Sequence, residues 1–558
     1  MEPPPPLTDA DTGPNGAARL VLLGPPGTGK TRRCVDSWIL PVLRACRRPD
    51  EILSCSFSRA AAHELQVRVG REFPLSIRDQ TRMCSTIHAE AFRRACDGVR
   101  ALYLPGRGLA LLRQHETSGE GPEELLDERF ESEPGRRGDP LLRRFERPLV
   151  EDAIRVHDWA RHSLQPLTAE GARKLVPMRS FAELRRVIHE YEALKDAEGA
   201  IDFTDMLIRA LELAEAAPPA RALLLLDEAQ DCTKLMWRLF QRWAQSAQRV
   251  VCVGDPDQTV HRWAGADPEH FLALTEQGFV ARRLTQSHRV PRSVHRFARG
   301  IVLRCRSRID APYEPVARDG CLRRLSRSAA LERVRVAVES RQRVFVLARS
   351  HALLRTWAKS LEACRLPYIF QKGGRAPLND ASTLACVRAL LDVRRSTQPK
   401  AHDLATLIGI LPLPATGARF FSSAGRPKLR FEEAPSIEAL LVEGVDLRPL
   451  VNAGSVSAAI HLARLPKAAL GIAELARIHG RDLLNRPDLL VLTTLHQSKG
   501  QERSLVLLDA RVPKSVRRAL HRPGVLDDER RLLYVGATRA IDELVLVGQQ
   551  METLARFG

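Results

Sequence analysis

The chain has 558 residues, 44% apolar and 27% charged, with a formal net charge of +19 and a pI near 9.9. That length predicts two to four domains, and the apolar fraction excludes a disordered chain. No run of about 18 apolar residues occurs, and the opening "MEPPPPLTDADTGPNG" is acidic and proline-rich without an apolar core, which excludes a membrane span and a signal peptide. A soluble, cytoplasmic protein with no membrane partner is expected. The positive charge suggests a polyanion such as nucleic acid, although an Arg- and Ala-rich bias from GC-rich coding produces the same excess. Eleven Cys lie scattered without a C-x-x-C pair, so neither a zinc ribbon nor an iron–sulfur spacing is present, and free thiols are expected.

The first informative element is "VLLGPPGTGKTR", residues 21–32. Gly24, Pro25, Pro26, Gly27, Thr28, Gly29, Lys30 and Thr31 fit G-x-x-x-x-G-K-[ST] between an apolar strand and a helix-compatible segment. Glycines let backbone N–H groups wrap a β-phosphate, Lys30 reaches the β- and γ-phosphates, and the Thr31 hydroxyl suits Mg²⁺.

Short apolar strands then alternate with helical patterns: "LVLLG" at 20–24, "EILSCSF" at 51–57, "ALLLLDEAQD" at 222–231 and "RVVCVGD" at 249–255. A second set comprises "ARRLTQS" at 281–287, "RVFVLARS" at 343–350, "LLVLTTLHQSKG" at 489–500, "RSLVLL" at 503–508 and "DELVLVG" at 542–548. The alternation predicts two α/β domains with parallel sheets. Residues 93–199 are charged and mostly helical in pattern, and residues 386–487 mix helices with the turn-rich "LPLPATGARFFSSAGRPKLRF"; each reads as an insertion.

Asp227 and Glu228 end the strand "ALLLL", at the carboxyl edge where the phosphate loop also opens. Asp227 suits Mg²⁺, and Glu228 suits a general base for water, which points to hydrolysis. In "VGDPDQTVHRWAGAD" at 253–267, Gln258 is placed to sense a γ-phosphate or its water, while His261 and Trp263 offer flat faces for base stacking.

Eight strings in order, "GPPGTGKTR", "ILSCSFSRAAAHEL", "STIHAEAF", "LLLDEAQD", "VGDPDQTVHRWAGAD", "LTQSHR", "LTTLHQSKGQE" and "RRLLYVGATRA", resemble the motifs of UvrD/Rep/PcrA-type superfamily 1 DNA helicases. The segment "YEALKDAEGAIDFTDML" at 191–207 is similar to that family's approach to the Walker B strand. The resemblance implies two RecA-like domains: 1–92 and 200–277 for the first, 278–385 and 488–558 for the second, with a helical insertion at 93–199 and a reduced one at 386–487. It implies ATP with Mg²⁺ at their interface, and 3′ to 5′ translocation of a monomer on single-stranded DNA and at single-strand/duplex junctions. Arg289 in "QSHR" and Arg539 in "GATRA" become arginine fingers reaching the γ-phosphate from the second domain. Arg32 and His288 sandwich adenine, and Gly500 and Glu502 in "KGQE" meet the nucleotide, Glu502 through the ribose. Phe57, Arg59, His88, His261, Trp263, Thr494 and His496 become strand contacts.

Departures accompany the resemblance. The family's usual Arg after the motif Trp is Ala264 here, although Arg262 lies two residues earlier on the same side of an expected extended strand. Residues 1–20 contain no Gln to read adenine, so the base is expected to be stacked but weakly discriminated, unless backbone groups or Asn15 replace it. The second insertion is shorter than the family's duplex-engaging subdomain, and the chain stops ten residues after "DELVLVG", so no nuclease or partner-binding tail is expected. Unwinding is therefore a weaker expectation than translocation, and a DNA-stimulated ATPase that clears proteins from strands is the alternative. A nucleotide switch or small kinase is disfavoured by the absence of an N-K-x-D motif and the presence of two finger arginines.

Overall fold

Runs of Leu, Val and Ile that read as strands in the sequence build two six-stranded, all-parallel sheets. The computed structural model describes residues 18–46, 48–99, 101–104, 108–111, 139–213, 221–306, 308, 311–372, 374–412, 420–421 and 433–548. Contacts divide it into two units: Met1–His295, Arg299–Arg318 and Arg522–Tyr534 form one; Arg296–Ala298, Asp319–His521 and Val535–Gly558 form the other.

In the first unit the strand order is Cys84–Thr86, Ile52–Ser56, Leu223–Asp227, Arg249–Gly254, Ala18–Leu23, Val280–Arg283. Every neighbouring pair is parallel. Because side chains alternate across a strand, both faces need cover. Leu20, Leu22, Leu223, Leu225, Val251 and Val253 pack on one face, against helical Val35, Trp38, Ile39 and Leu65. Val21, Leu23, Leu224, Leu226, Val250 and Cys252 pack on the other, with Trp237, Phe240 and Trp243 of helix Lys234–Ala244.

The helical insertion has its own core of Val150, Ile154, Leu184, Val187 and Tyr191, from helices Arg147–Ser163 and Phe181–Ala197. Its base is tied to helix Phe203–Glu212 by buried charge. Asp202 caps that helix with a capping box and also accepts from Tyr191 Oη at 2.7 Å, Lys195 Nζ at 3.0 Å and Arg161 at 2.7 Å. Removing one member would strand its buried partners, typically a loss of about 3–5 kcal/mol.

The second unit orders its strands Cys321–Leu325, Ala540–Val547, Arg503–Asp509, Val344–Ala348, Leu490–Thr494, Ile369–Phe370, again all parallel. Helices between Ala381–Arg394 and Ala468–His479 form a separate apolar cluster around Val387, Leu390, Leu404, Leu407 and Leu450. Most of "LPLPATGARFFSSAGRPKLRF" lies outside the described residues, as does the N-terminal proline run.

Two expectations change. The segment "ARRLTQS", expected in the second sheet, falls in the first, where Val280–Arg283 pairs with Leu20–Leu23, so the boundary expected at 277/278 precedes a strand of the first sheet. It is an edge strand whose residues alternate between half-buried and exposed, and its arginines hide the affiliation from a reading of apolar runs. Residues 286–295, 299–318 and 522–534, expected in the second domain, also group with the first unit.

Candidate nucleotide and strand site

The phosphate loop leaves strand Ala18–Leu23 at Gly24 and re-enters helix at Lys30. Gly27 and Gly29 hold φ of 77° and 80°, a left-handed backbone that glycine adopts at little cost. A Cβ on Gly24 would come within 2.7 Å of Thr28 Oγ1, and one on Gly27 within 2.7 Å of Ser287 Oγ. Thr28 Oγ1 donates to Pro25 O at 2.8 Å, and Lys30 Nζ donates to Gly24 O at 2.5 Å, which fixes the ammonium inside the loop.

Carboxylates crowd the neighbouring strand ends. Asp227 and Asp255 are buried. Burial, reinforced by Glu228, pushes the Asp227 carboxyl up to about 7. Burial also raises Asp255 to about 6, with Lys30 pulling the other way. Glu228 sits at φ 55°, an uncommon backbone for a non-glycine residue and one that recurs at reactive positions. Its Oε2 accepts from Gln230 Nε2 at 2.6 Å, while Gln230 Oε1 accepts from the Asp255 N–H at 3.0 Å. Gln258, also buried, donates to Asp255 Oδ2 at 2.8 Å. The expected base and the expected γ-phosphate sensor thus belong to one hydrogen-bonded chain. The donor set suits ATP with Mg²⁺: a glycine cradle, one ammonium, and hard oxygens from Thr31 and Asp227, since Mg²⁺ keeps waters and takes phosphate oxygens beside one or two carboxylates.

The segment Gln286–Pro291 lies directly on the phosphate loop. The His288 N–H donates to Gly27 O at 2.8 Å, Ser287 Oγ to Pro26 O at 3.1 Å, and Tyr313 Oη to Pro26 O at 3.0 Å. Arg289 follows, with its Cβ 2.8 Å from where a Gly27 Cβ would stand. It therefore neighbours the loop from within the same unit, not from the second domain as expected. His288 is exposed, with Cδ2 4.0 Å from a Gly29 Cβ position; Arg32 is exposed and donates to Asp36 Oδ2 at 3.2 Å. Asn15 and the region where an adenine-reading Gln was sought lie outside the described residues, apart from 18–20.

Five expected strand contacts gather at the same carboxyl edge. Phe57, Arg59 and His88 line a cleft of ≈ 560 Å³ with Phe203. The Phe57 and His261 rings are 4.9 Å apart at 30°, and Trp263 is 58% exposed beyond them, 6.3 Å from His261. Burial and neighbouring His162 push His88 down to about 3, so its ring is neutral at physiological pH.

The remaining residues belong to the second unit. Thr494 ends strand Leu490–Thr494 and accepts from the Gln497 N–H at 3.3 Å; His496 lies in the turn that follows. Gly500, at φ 79°, and exposed Glu502 precede strand Arg503–Asp509. Arg539 is buried, donating from Nε to Val535 O at 2.8 Å and from Nη2 to Thr538 Oγ1 at 3.2 Å.

Arg262 and Ala264 do not share an extended strand: Arg262–Ala264 is one 3₁₀ turn, closed by Gly265 at φ 91°. Arg262 instead faces Asp528 at 3.6 Å. Sequence reasoning also missed Gln230, Ser287 and Tyr313. For Gln230 a signal existed, its position two residues after Glu228; Tyr313 offered none. Among the described residues no helix is long and apolar enough to cross a membrane.

Residues 14–278 match the UvrD/REP helicase N-terminal domain and residues 467–550 the UvrD-like helicase C-terminal domain, together more than half of the chain. The ATP-dependent DNA helicase UvrD2 of Mycobacterium tuberculosis is 25% identical over 94% of this chain and 76% of its own length. DNA helicase II of Escherichia coli is 24% identical over 49% of this chain and 36% of its own, and the RecBCD enzyme subunit RecB of M. tuberculosis is 26% identical over 46% and 27%. With both family domains matched in order around the glycine cradle and its carboxylates, the chain belongs to the UvrD/Rep-type superfamily 1 DNA helicases, DNA-dependent ATP hydrolases.

Proposed function

We propose that this helicase moves 3′ to 5′ along single-stranded DNA, using ATP hydrolysis to separate strands at single-strand/duplex junctions, and that it acts as a monomer. The observation that carries the reading is continuity at one sheet edge. Glu228 is joined through Gln230 to Asp255, and from there the chain runs in a few residues to His261 and Trp263. Glu228 and the aromatic strand contacts thus leave two neighbouring strands of the same sheet, Leu223–Asp227 and Arg249–Gly254.

In this reading residues 24–31 hold the phosphates, and Thr31 and Asp227 hold Mg²⁺, which supplies positive charge against the phosphate oxygens. Glu228 takes the proton of the attacking water, and Gln258 orients that water. Arg289 and Arg539 stabilise the charge that develops on the transferred phosphoryl group. Arg32 and His288 flank the base, with Gly500 and Glu502 at the ribose side. Phe57, Arg59, His88, His261, Trp263, Thr494 and His496 hold the strand by stacking and phosphate contacts. Residues 93–199 and 386–487 serve as insertions into two RecA-like domains. The small size of the second favours a further reading, in which the motor strips proteins from strands without processive unwinding.

The test is ATP hydrolysis with and without single-stranded oligonucleotide, followed by unwinding of duplexes with 3′ or 5′ tails. Strong stimulation and unwinding of the 3′-tailed duplex alone are expected. Hydrolysis indifferent to DNA refutes the coupling, and unwinding from 5′ tails only reverses the polarity. Stimulation without unwinding selects the protein-stripping reading.

A further inference from the structure

We infer that His162, on the helical insertion, is a positioning residue that holds the Trp263 turn ready to stack on DNA. The inference rests on the reading of Trp263 as a strand contact and gives the insertion a part in it.

His162 lies in the last turn of helix Arg147–Ser163. Its Nδ1 is 3.0 Å from Thr233 Oγ1 and its Nε2 3.3 Å from Thr204 Oγ1. The neighbours settle the proton positions. Thr204 Oγ1 donates its single hydrogen to Asp158 Oδ1 at 3.1 Å, so toward His162 it accepts, and Nε2 carries the ring proton. Nδ1 is then bare and accepts the Thr233 hydroxyl hydrogen, while the Thr233 oxygen accepts the Met236 N–H at 3.3 Å as the cap of helix Lys234–Ala244. Every donor has one acceptor, and the ring must be neutral. Burial, with Arg161 alongside, pushes the imidazole down to about 4 and keeps it so.

The Trp263 turn rests on this pair of residues. Thr233 bridges to Ala266, and the Asp267 N–H donates to Cys232 O at 3.2 Å. Gly265 closes the turn with its backbone pressed on the histidine: a Cβ there would stand 3.1 Å from His162 Cβ and 3.8 Å from Thr233 Cγ2. The backbone that carries the exposed indole is thus clamped between the insertion and the residues that follow the Walker B strand. Clamping matters because a loose turn would have to lose its freedom on each encounter with DNA, at the expense of affinity.

ATP hydrolysis is measured against increasing oligothymidylate, with thermal melting alongside. His162→Leu, which keeps bulk but loses both hydrogen bonds, is expected to raise the half-maximal oligothymidylate concentration about tenfold, a large part of one base's stacking. Its DNA-free turnover stays within about twofold of wild type. His162→Gln, with one donor and one acceptor, restores the DNA response to within about threefold. Gly265→Ala, which lifts the turn off an intact His162, raises the half-maximal concentration as well. An unchanged half-maximal concentration in His162→Leu, with Trp263→Ala raising it, overturns the inference and spares the strand contact; no effect in Trp263→Ala overturns both. Should His162→Leu fail to fold or lose DNA-free turnover, a normal DNA response in Gly265→Ala returns His162 to a structural role.

Discussion

The two six-stranded sheets share an architecture and differ in where they expose chemistry. In the first, residues nominated for nucleotide and for DNA all leave the carboxyl ends of strands: Lys30 and Thr31 after Ala18–Leu23, Glu228 after Leu223–Asp227, Phe57 after Ile52–Ser56 and His88 after Cys84–Thr86. In the second, the nominations split. Thr494 closes a strand at the carboxyl edge, whereas Glu502 and Arg539 immediately precede strands, at the amino edge, joined there by the Arg503 N–H donating to Arg539 O at 3.1 Å. Ligands of open α/β sheets usually sit beyond the carboxyl ends. The candidate residues of the first sheet follow that rule, and the second sheet has no counterpart of the glycine loop after strand Val344–Ala348, which runs into a Ser350-capped helix.

The strongest way to break this contrast is Arg539→Ala. If the amino-edge arginine serves the reaction, DNA-stimulated turnover falls by about a thousandfold, the scale of an arginine finger. A loss below about threefold would leave hydrolysis to the first sheet's own residues. Next comes Glu228→Gln, which should lower turnover by at least about a hundredfold while nucleotide and DNA binding persist, because the cradle is untouched. Unchanged turnover would move the base elsewhere on the carboxyl edge.

Much of the first edge was legible because its chemistry is local. Glycines, Lys30 and Thr31 fall within eight residues, and Asp227 with Glu228 end a strand that apolar composition marks by itself. What escaped depends on distant partners. Ser287 meets Pro26 across 261 positions, a hydrogen bond that assigning their two motifs to one nucleotide does not specify. The edge strand Val280–Arg283 joins the first sheet although its motif reads with the second set of strands, and the 3₁₀ turn at Arg262–Ala264 requires Gly265 to be read as a closing residue in contact with an insertion a hundred residues earlier. In the second sheet the motifs were found, and their division between two edges follows from their order in the chain, Thr494 ending a strand and Glu502 and Arg539 preceding one.

A smaller effect sharpens the strand side of the first edge. Trp263→Ala should raise the DNA concentration that half-saturates ATPase stimulation by about tenfold, as loss of one stacked base would. The melting temperature should hold, because a 58% exposed indole contributes little to the core. A large drop in melting temperature would place Trp263 among the packing residues instead.

The smallest predicted effect concerns Mg²⁺ and pH at Asp227. Burial first, and Glu228 second, raise its carboxyl from 3.8 to about 7. A folded value above the unfolded one means the fold prefers the protonated form, so the contribution to stability is full below 3.8 and is lost as pH rises through about 7. Mg²⁺ requires the ionised form and must displace that proton when pH is below the folded value. At pH 6 the proton competes by roughly tenfold, and at pH 8 it hardly competes at all. The rise in melting temperature that Mg²⁺ adds to saturating ADP should therefore be a few degrees larger at pH 8 than at pH 6. Asp255, raised to about 6, titrates in part of the same window, so Asp227→Asn provides the separation: it should abolish most of the pH difference. Equal Mg²⁺ shifts at the two pH values in the wild type would show that the ion is held by Thr31 and phosphate oxygens without the Asp227 carboxylate.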